Sequence, residues 1–198
     1  EEVTDLQLLQ GRGVFGIEMR IVDENNSELP WDGSASGALK VRGPWVAKGY
    51  YGLSDVPGHE ECPVDKDGWF NTGDVAAITP DGFLQITDRT KDVIKSGGEW
   101  ISSIEIENAA VNHPDIAEAA VIGRYHPKWT ERPLLIAVAQ PGKSLQKSAV
   151  LEFLTDKLHK MALPDDVVFT DELPHTATGK INKLGLRETY KDYKFPDA

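Results

Sequence analysis

Lys180, near the C-terminus, stands on a short loop rich in glycine and threonine. The segment Pro174-His-Thr-Ala-Thr-Gly-Lys180 opens with a proline, and the residues after it have the apolar spacing of a helix. A lysine on such a loop is a movable point charge that suits a phosphate or a carboxylate. Taken alone, Lys180 fits better as an exposed residue after a turn.

An aspartate and an arginine accompany two predicted neighbouring strands. Asp74 follows Thr72-Gly73, and a carboxylate on a glycine-bearing turn can accept hydrogen bonds from both hydroxyls of a ribose. Arg89 follows the second strand at a spacing that brings it to the same end, where it can bond a ribose hydroxyl or a phosphate oxygen. The alternatives are a turn-capping aspartate and a surface ion pair. Together with Lys180, these residues point to acyl-adenylate chemistry.

Two adjacent glycines, Gly97 and Gly98, lie between the strand-like Val93-Ile94 and a predicted helix. Because glycine lacks a Cβ atom, such a pair lets an extended ligand approach the backbone closely. The alternative is a flexible turn without a ligand.

Three other patterns carry little weight. The dinucleotide-type spacing from Gly11 to Gly16 is followed by a strand-like segment rather than a helix. Lys180 is not part of a Walker loop, because Pro174 and Ile181 replace residues that such a loop requires. His59 and Cys62 are too few ligands for a zinc site, so we expect no metal centre.

The first part of the chain reads as β structure. Residues 14–22 and 37–42 alternate as half-buried strands, and residues 75–78 and 83–87 flank the turn Thr79-Pro-Asp-Gly82. Strands with turn signals and no long helix predict a small β-barrel-like or curled-sheet subdomain.

After Asp88 the pattern changes to a compact α+β domain. Ser102 is a predicted N-cap of a helix that stops before His113-Pro114. Further predicted elements are strands at 117–122, 134–139 and 165–170 and helices at 146–161 and 183–193. We therefore predict domains at 1–88 and 89–198, with the boundary near residues 88–92.

Composition limits the class of protein. The formal net charge of −11 argues against a nucleic-acid partner. No apolar run is long enough to span a membrane, no signal peptide is visible at the N-terminus, and a single cysteine fits a reducing compartment, so we expect a cytoplasmic protein. The first residues enter a strand pattern almost at once, which suggests a chain that begins within a larger protein.

Several motifs occur together in a fixed order and resemble a known family. The motifs are Arg42-Gly-Pro-Trp-Val-Ala-Lys-Gly-Tyr50, Gly68-Trp-Phe-Asn-Thr-Gly-Asp74, Asp81-Gly-Phe-Leu-Gln-Ile-Thr-Asp-Arg-Thr-Lys-Asp92, Ile94-Lys-Ser-Gly-Gly98 and Pro174-His-Thr-Ala-Thr-Gly-Lys180. The series resembles the C-terminal part of the adenylate-forming enzymes, which include acyl-CoA synthetases, adenylation domains of peptide synthetases and firefly luciferase. Lys95 to Ser103 and Pro174 to Gly179 look most like bacterial medium- and long-chain fatty-acid or methylthioalkanoate CoA ligases.

This resemblance implies roles for individual residues. Asp74 would bind the ribose hydroxyls of adenosine, and Arg89 would help to hold ribose or phosphate. Lys91 stands where the family turns its C-terminal domain about a hinge. Lys180 would reach the acid's carboxylate and the α-phosphate during adenylation.

The second half-reaction would use another part of the same domain. Gly97, Gly98 and Lys95 would line the channel for the pantetheine arm of CoA. Rotation of the domain would withdraw Lys180 and present the glycine turn for thioester formation.

The resemblance also implies the substrates. A carboxylic acid, ATP with Mg²⁺ and CoA would react, the nucleotide being bound mainly by a large N-terminal domain whose phosphate loop, adenine pocket and acyl pocket are not found in this sequence. We therefore expect this chain alone to be inactive. A second copy of the chain, in a homo-oligomer, is a further candidate partner. The alternatives to a CoA ligase are transfer to a carrier-protein thiol and a non-catalytic module that retains the fold.

Overall fold

The computed structural model describes residues 9–49 and 64–196. The chain divides into two compact units, Glu1–Lys91 and Asp92–Ala198. His59 and Cys62 lie outside the described residues, as do residues 1–5. Among the residues described, no group of three or more histidine, cysteine or acidic side chains could hold a metal ion. Within the same ranges, no helix is both long and apolar enough to cross a membrane.

The first unit contains a four-stranded antiparallel sheet with the strand order β1-β2-β3-β4. The strands are β1 (Glu18–Val22), β2 (Ser36–Arg42), β3 (Phe70–Ile78) and β4 (Leu84–Arg89). Ile21, Leu39, Ala76 and Ile78 are buried together and form the core of this unit. The predicted hairpin is confirmed, and Gly82 closes its turn with a φ of 81° and a hydrogen bond from its amide to the carbonyl oxygen of Thr79 at 2.8 Å.

The prediction of a barrel-like first subdomain was wrong, because the described sheet is open. A barrel needs its first and last strands to pair, whereas β1 and β4 are not neighbours. Residues 10–12 bond instead along the outer edge of β4, where the amide of Gln10 donates to the carbonyl oxygen of Leu84 at 2.9 Å. The first strand is also shorter than predicted, since residues 14–17 form a turn.

The second unit is a mixed sheet flanked by helices. Its strand order is β6-β5-β8-β7, and β9 pairs with β8 in parallel. The strands are β5 (Ile94–Ser96), β6 (Glu99–Ile101), β7 (Ile116–His126), β8 (Thr130–Ala139) and β9 (Asp166–Phe169). The helices are α1 (Ser103–Val111), α2 (Lys147–Thr155) and α3 (Lys183–Thr189), with a 3-10 helix at Lys160–Ala162. This arrangement confirms the predicted α+β class.

Both faces of the second sheet are buried, as the continuous apolar run in β8 requires. Leu135 and Ala137 point into a cluster with residues of α1 and α2, including Ile106 and Leu154. Leu134 and Ile136 point to the opposite face, against residues of the C-terminal segment. The Ser102 cap is confirmed, since its Oγ accepts from the amide of Glu105 at 3.2 Å.

Several elements differ in length from the prediction. β7 and β8 extend to His126 and Thr130 and form one long hairpin. α2 ends at Thr155 and α3 at Thr189, earlier than the apolar spacing suggested. The apolar stripe continues through the buried Leu158 in a turn rather than in a regular helix.

Candidate functional site

Asp74 and Arg89 face each other across β3 and β4. The two residues are register partners, and Arg89 Nε lies 3.2 Å from Asp74 Oδ1. The side chain of Asp74 is 24% exposed, whereas that of Arg89 is 61% exposed. An exposed ion pair of this type contributes only about 0–1 kcal/mol, so a ligand that bonds both groups can replace it at little cost.

The backbone at Asp74 is fixed from both sides. Its amide donates to Thr72 Oγ1 at 3.1 Å, and that hydroxyl donates to the carbonyl oxygen of Leu39 at 3.0 Å. Gly73 has a φ of 78° and accepts from the amide of Thr90 at 2.9 Å. These hydrogen bonds fix the backbone that carries the Asp74 carboxylate. The carboxylate itself does not take part in them as a turn cap. Among these contacts the carboxylate of Asp74 is engaged by Arg89 and not by the turn itself.

Lys91 is the last residue of the first unit. It lies in a turn after β4, and its side chain is exposed. Its role as a hinge remains a prediction.

Lys180 lies on a tight loop that its own backbone closes. The carbonyl oxygen of Lys180 accepts from the amide of Thr176 at 2.7 Å, and its amide donates to Thr176 Oγ1 at 3.2 Å. Gly179 makes the reversal possible with a φ of 80°. The loop base is held by a bridge between His175 and Ile181. Lys180 therefore has an ordered backbone beneath an exposed side chain.

The environments of Lys180 and Lys183 are opposite. Over residues 9–49 and 64–196, the ammonium of Lys180 has no hydrogen-bond or ion-pair partner. The ammonium of Lys183, at the start of α3, lies 2.7 Å from Glu107 Oε1 and 2.8 Å from Ser103 Oγ, and it is 14% exposed. Lys183 therefore anchors the segment to α1, whereas the side chain of Lys180 is exposed.

Gly97 and Gly98 form the two-residue turn between β5 and β6. Their φ values of 58° and 92° are those of a type I′ hairpin turn. The amide of Gly97 donates to the carbonyl oxygen of Trp129 at 2.8 Å. A Cβ atom on Gly97 would lie 2.8 Å from the Trp129 ring, whereas one on Gly98 would meet nothing within 4 Å. The turn is thus supported on one side and open on the other.

Lys95 is the exposed neighbour of this turn on β5. Its ammonium lies 5.1 Å from the centre of the Trp100 ring, its register partner on β6. Its backbone amide donates to Glu131 Oε2 at 3.0 Å. Lys95 and Trp100 therefore place a positive charge and an aromatic ring beside the two glycines.

The support beneath the turn was not predicted from the sequence. Thr130 has a φ of 72°, a left-handed conformation that is rare for a β-branched residue. Nδ1 of the buried His126 accepts from the amides of Lys128 and Trp129 at 3.1 and 3.3 Å. The β7–β8 turn is thereby held with Trp129 against Gly97. No residue type in His126-Pro-Lys-Trp-Thr130 reveals this conformation in advance.

Part of the second unit matches a known protein family. Residues 105–180 match the AMP-binding enzyme C-terminal domain. This match agrees with the resemblance that the sequence motifs carry.

The chain is also similar to individual members. It is 52% identical over 97% of its length to 3-methylmercaptopropionyl-CoA ligase of Ruegeria lacuscaerulensis, of which it covers 34%. It is 49% identical over 97% of its length to the medium-chain-fatty-acid–CoA ligase of Ectopseudomonas oleovorans, again covering 34%. The chain thus spans about a third of the length of these relatives.

A solved structure shows the same fold. ATP-bound MatB from Rhodopseudomonas palustris superimposes with a TM-score of 0.78 at 35% sequence identity, covering 94% of this chain and 37% of that one. The matched residues come from both units of the chain. The α+β fold described above is therefore that of the adenylate-forming enzymes.

Proposed function

We propose that this chain is the C-terminal part of an ATP-dependent acid–CoA ligase. In the first half-reaction a carboxylate and ATP give acyl-AMP and pyrophosphate; in the second, acyl-AMP and CoA give acyl-CoA and AMP. The observation that carries the proposal is the 52% identity, over 97% of the chain, to a named CoA ligase. Acid, ATP and CoA are accordingly the proposed substrates, in a cytoplasmic enzyme.

Asp74 and Arg89 bind the nucleotide in this proposal. The carboxylate of Asp74 accepts hydrogen bonds from the two ribose hydroxyls, and the guanidinium of Arg89 turns from Asp74 towards a ribose or phosphate oxygen. The weak, solvent-exposed contact between the two side chains supports this exchange of partners.

Lys180 acts in adenylation. An oxygen of the carboxylate attacks the α-phosphorus of ATP, the bond from that phosphorus to the bridging oxygen breaks, and pyrophosphate leaves. The ammonium of Lys180 neutralises the charge that builds up between the attacking carboxylate and the α-phosphate. Its lack of a partner among the described side chains supports this role. ATP enters as its magnesium complex, which is held mainly by parts of the enzyme outside this chain.

Gly97, Gly98 and Lys95 serve the second half-reaction. The CoA sulfur attacks the acyl carbon, the bond from that carbon to the phosphate oxygen breaks, and AMP leaves. The open side of the turn at Gly98 gives the pantetheine arm access to the backbone. Rotation about Lys91 between the two half-reactions would exchange Lys180 for this turn.

The proposal is tested by assaying the protein that carries this chain with a panel of carboxylic acids and ATP. Either CoA or a holo carrier protein is supplied as the thiol, and AMP and thioester are measured by mass spectrometry. Equal amounts of AMP and acyl-CoA are expected. Thioester on the carrier protein alone would favour the carrier-loading alternative. Absence of AMP with every acid would favour a non-catalytic module.

A further inference from the structure

We propose that Arg132 is a positioning residue that holds the Gly97-Gly98 turn through the hydroxyl of Ser96. This inference rests on the proposed function and assigns to Arg132 control of the thioester step but not of adenylation. Ser96 belongs to the motif Ile94-Lys-Ser-Gly-Gly98, but the sequence assigned no role to its hydroxyl and none to Arg132.

Arg132 is buried and fully bonded. It lies on β8, and its side chain is 7% exposed. Nη1 donates to Ser96 Oγ at 3.1 Å and to the carbonyl oxygen of Met161 at 2.8 Å, and Nη2 donates to that of Leu163 at 3.0 Å. Nε and Nη2 both lie 2.7 Å from Asp165 Oδ1. Every N–H of the guanidinium thus has an acceptor.

Asp165 neutralises the buried charge of Arg132 but accepts hydrogen bonds from only some of its N–H groups. One carboxylate oxygen pairs with Arg132, and the other lies 4.0 Å from His126 Nε2. The remaining donors of Arg132 are directed at neutral oxygens. A buried guanidinium bonds such oxygens strongly because no water competes for it.

Ser96 connects Arg132 to the glycine turn. It is completely buried, it pairs with Thr130 across β5 and β8, and it directly precedes Gly97. Arg132 therefore fixes one side of the turn while the backbone of Trp129 fixes the other through the Gly97 amide. Two glycines have the largest conformational freedom to lose, so an unsupported turn would populate many conformations.

A lysine at position 132 could not replace this arrangement. An ammonium has fewer donors than a guanidinium and lacks its planar, forked geometry. It could pair with Asp165 but would leave some of the oxygens at residues 96, 161 and 163 without a partner. The inference therefore depends on the shape of the arginine head group and not only on its charge.

The experiment compares Ser96→Ala and Arg132→Lys in the full-length ligase, with Ser148→Ala on the exposed face of α2 as the control. We measure acyl-adenylate formation, the KM for CoA, and hydrogen exchange at the Gly97 amide in the 198-residue chain. For Ser96→Ala we expect the KM for CoA to rise roughly tenfold, Gly97 exchange to speed up, and adenylation to stay within about twofold, as loss of one charge-assisted hydrogen bond implies. Ser148→Ala should change none of the three.

An unchanged KM for CoA together with unchanged Gly97 exchange would overturn the inference. A parallel loss of both half-reactions would also overturn it, because it would mark Arg132 as generally structural. Arg132→Lys is the more severe change, and if it fails to fold, Ser96→Ala still decides, because it removes a single oxygen atom. If the unaltered ligase forms no acyl-adenylate, the proposed function fails, and Gly97 exchange alone decides whether Arg132 orders the turn.

Discussion

Lys180 and Lys183 are only three positions apart, yet their surroundings differ. Lys183 is buried against Glu107, and removal of either partner of such a pair would leave an uncompensated charge. The side chain of Lys180 is exposed on a tightly closed loop, so its ammonium is accessible to a ligand. The glycine-threonine context of Lys180 led to its predicted role, which stays a prediction. The anchoring role of Lys183 depends on Glu107, and no local pattern connects those two residues.

Asp74→Asn should weaken nucleotide binding with little change in stability. The substitution removes a charged acceptor for the ribose hydroxyls, and such hydrogen bonds contribute about 1.5–3 kcal/mol, or roughly 10- to 100-fold in affinity. The exposed contact with Arg89 contributes little to folding, so the melting temperature should hardly move. AMP affinity measured by calorimetry in the full-length ligase checks this expectation.

Asp81→Asn is the matched control, because Asp81 is an exposed carboxylate at the tip of the same hairpin. The role assigned to Asp74 is wrong if both variants bind AMP as tightly as the unaltered protein.

At the scale of elements, Gly97 and Gly98 in the turn between β5 and β6 differ in what a side chain added there would contact. Both glycines have positive φ values, so either substitution by alanine costs about 1–2 kcal/mol of backbone strain. Only at Gly97 would the new methyl group also meet the Trp129 ring at 2.8 Å. Gly97→Ala should therefore lower the free energy of unfolding more than Gly98→Ala does. Urea denaturation of the two variants measures the difference, and equal losses would show that Trp129 does not support the turn.

A second element-level contact links β9, α2 and the C-terminal segment. Asp166 is buried and bonds Lys147, Tyr193 and the amide of Val167. Burial alone would raise the pKa of Asp166, but the hydrogen bonds from Lys147 and Tyr193 outweigh it and lower the pKa. Burial and the bond to Asp166 raise the pKa of Tyr193.

The sign of the Asp166 shift fixes a pH dependence. A carboxyl whose pKa is lower in the folded state stabilises the fold above its unfolded pKa of about 4, and that contribution is lost as the pH falls through the folded value. Asp166→Asn should therefore be less stable near neutral pH and should lose less stability on acidification. Thermal melts from pH 7 to pH 3 check this, and parallel curves for the two proteins would contradict it.

Local patterns predicted some elements well and others poorly. The hairpin around Thr79-Pro-Asp-Gly82 and the Ser102 cap depend on short-range chemistry that the sequence contains in full. The outer edge of β4 is bonded by residues 10–12, which is a long-range contact that no local pattern predicts. The left-handed Thr130 and the bonds of Arg132 are likewise set by tertiary structure, so neither was predicted.

At the scale of the whole molecule, the chain consists of two compact units and matches about a third of each relative's length. The proposed nucleotide residues belong to the first unit, and Lys180 and the glycine turn belong to the second. An acyl pocket and a phosphate-binding loop are not found among the sequence motifs. In the proposal, both belong to the part of the relatives' length that this chain does not cover.

The 198-residue chain alone should form no thioester from any acid, ATP and CoA. The reason is that, in the proposal, the groups assigned to it bind ribose, neutralise charge at the carboxylate and the α-phosphate, and admit the thiol, but none of them forms a pocket for the acyl group. Turnover assays with the purified chain, run beside the full-length ligase, check this expectation. Measurable acyl-CoA from the chain alone would contradict the placement of the acyl site elsewhere.

The central claim is that Lys180 serves adenylation and is withdrawn for thioester formation. The most direct test measures both half-reactions of Lys180→Ala in the full-length ligase, with Lys143→Ala as a control on an exposed lysine of the same unit. Adenylation is followed by pyrophosphate release, and the second step by acyl-CoA formation from supplied acyl-AMP. We expect adenylation to slow roughly 100-fold or more while thioester formation stays within about threefold of the unaltered enzyme. Equal losses in the two half-reactions, or no loss in adenylation, would contradict the account.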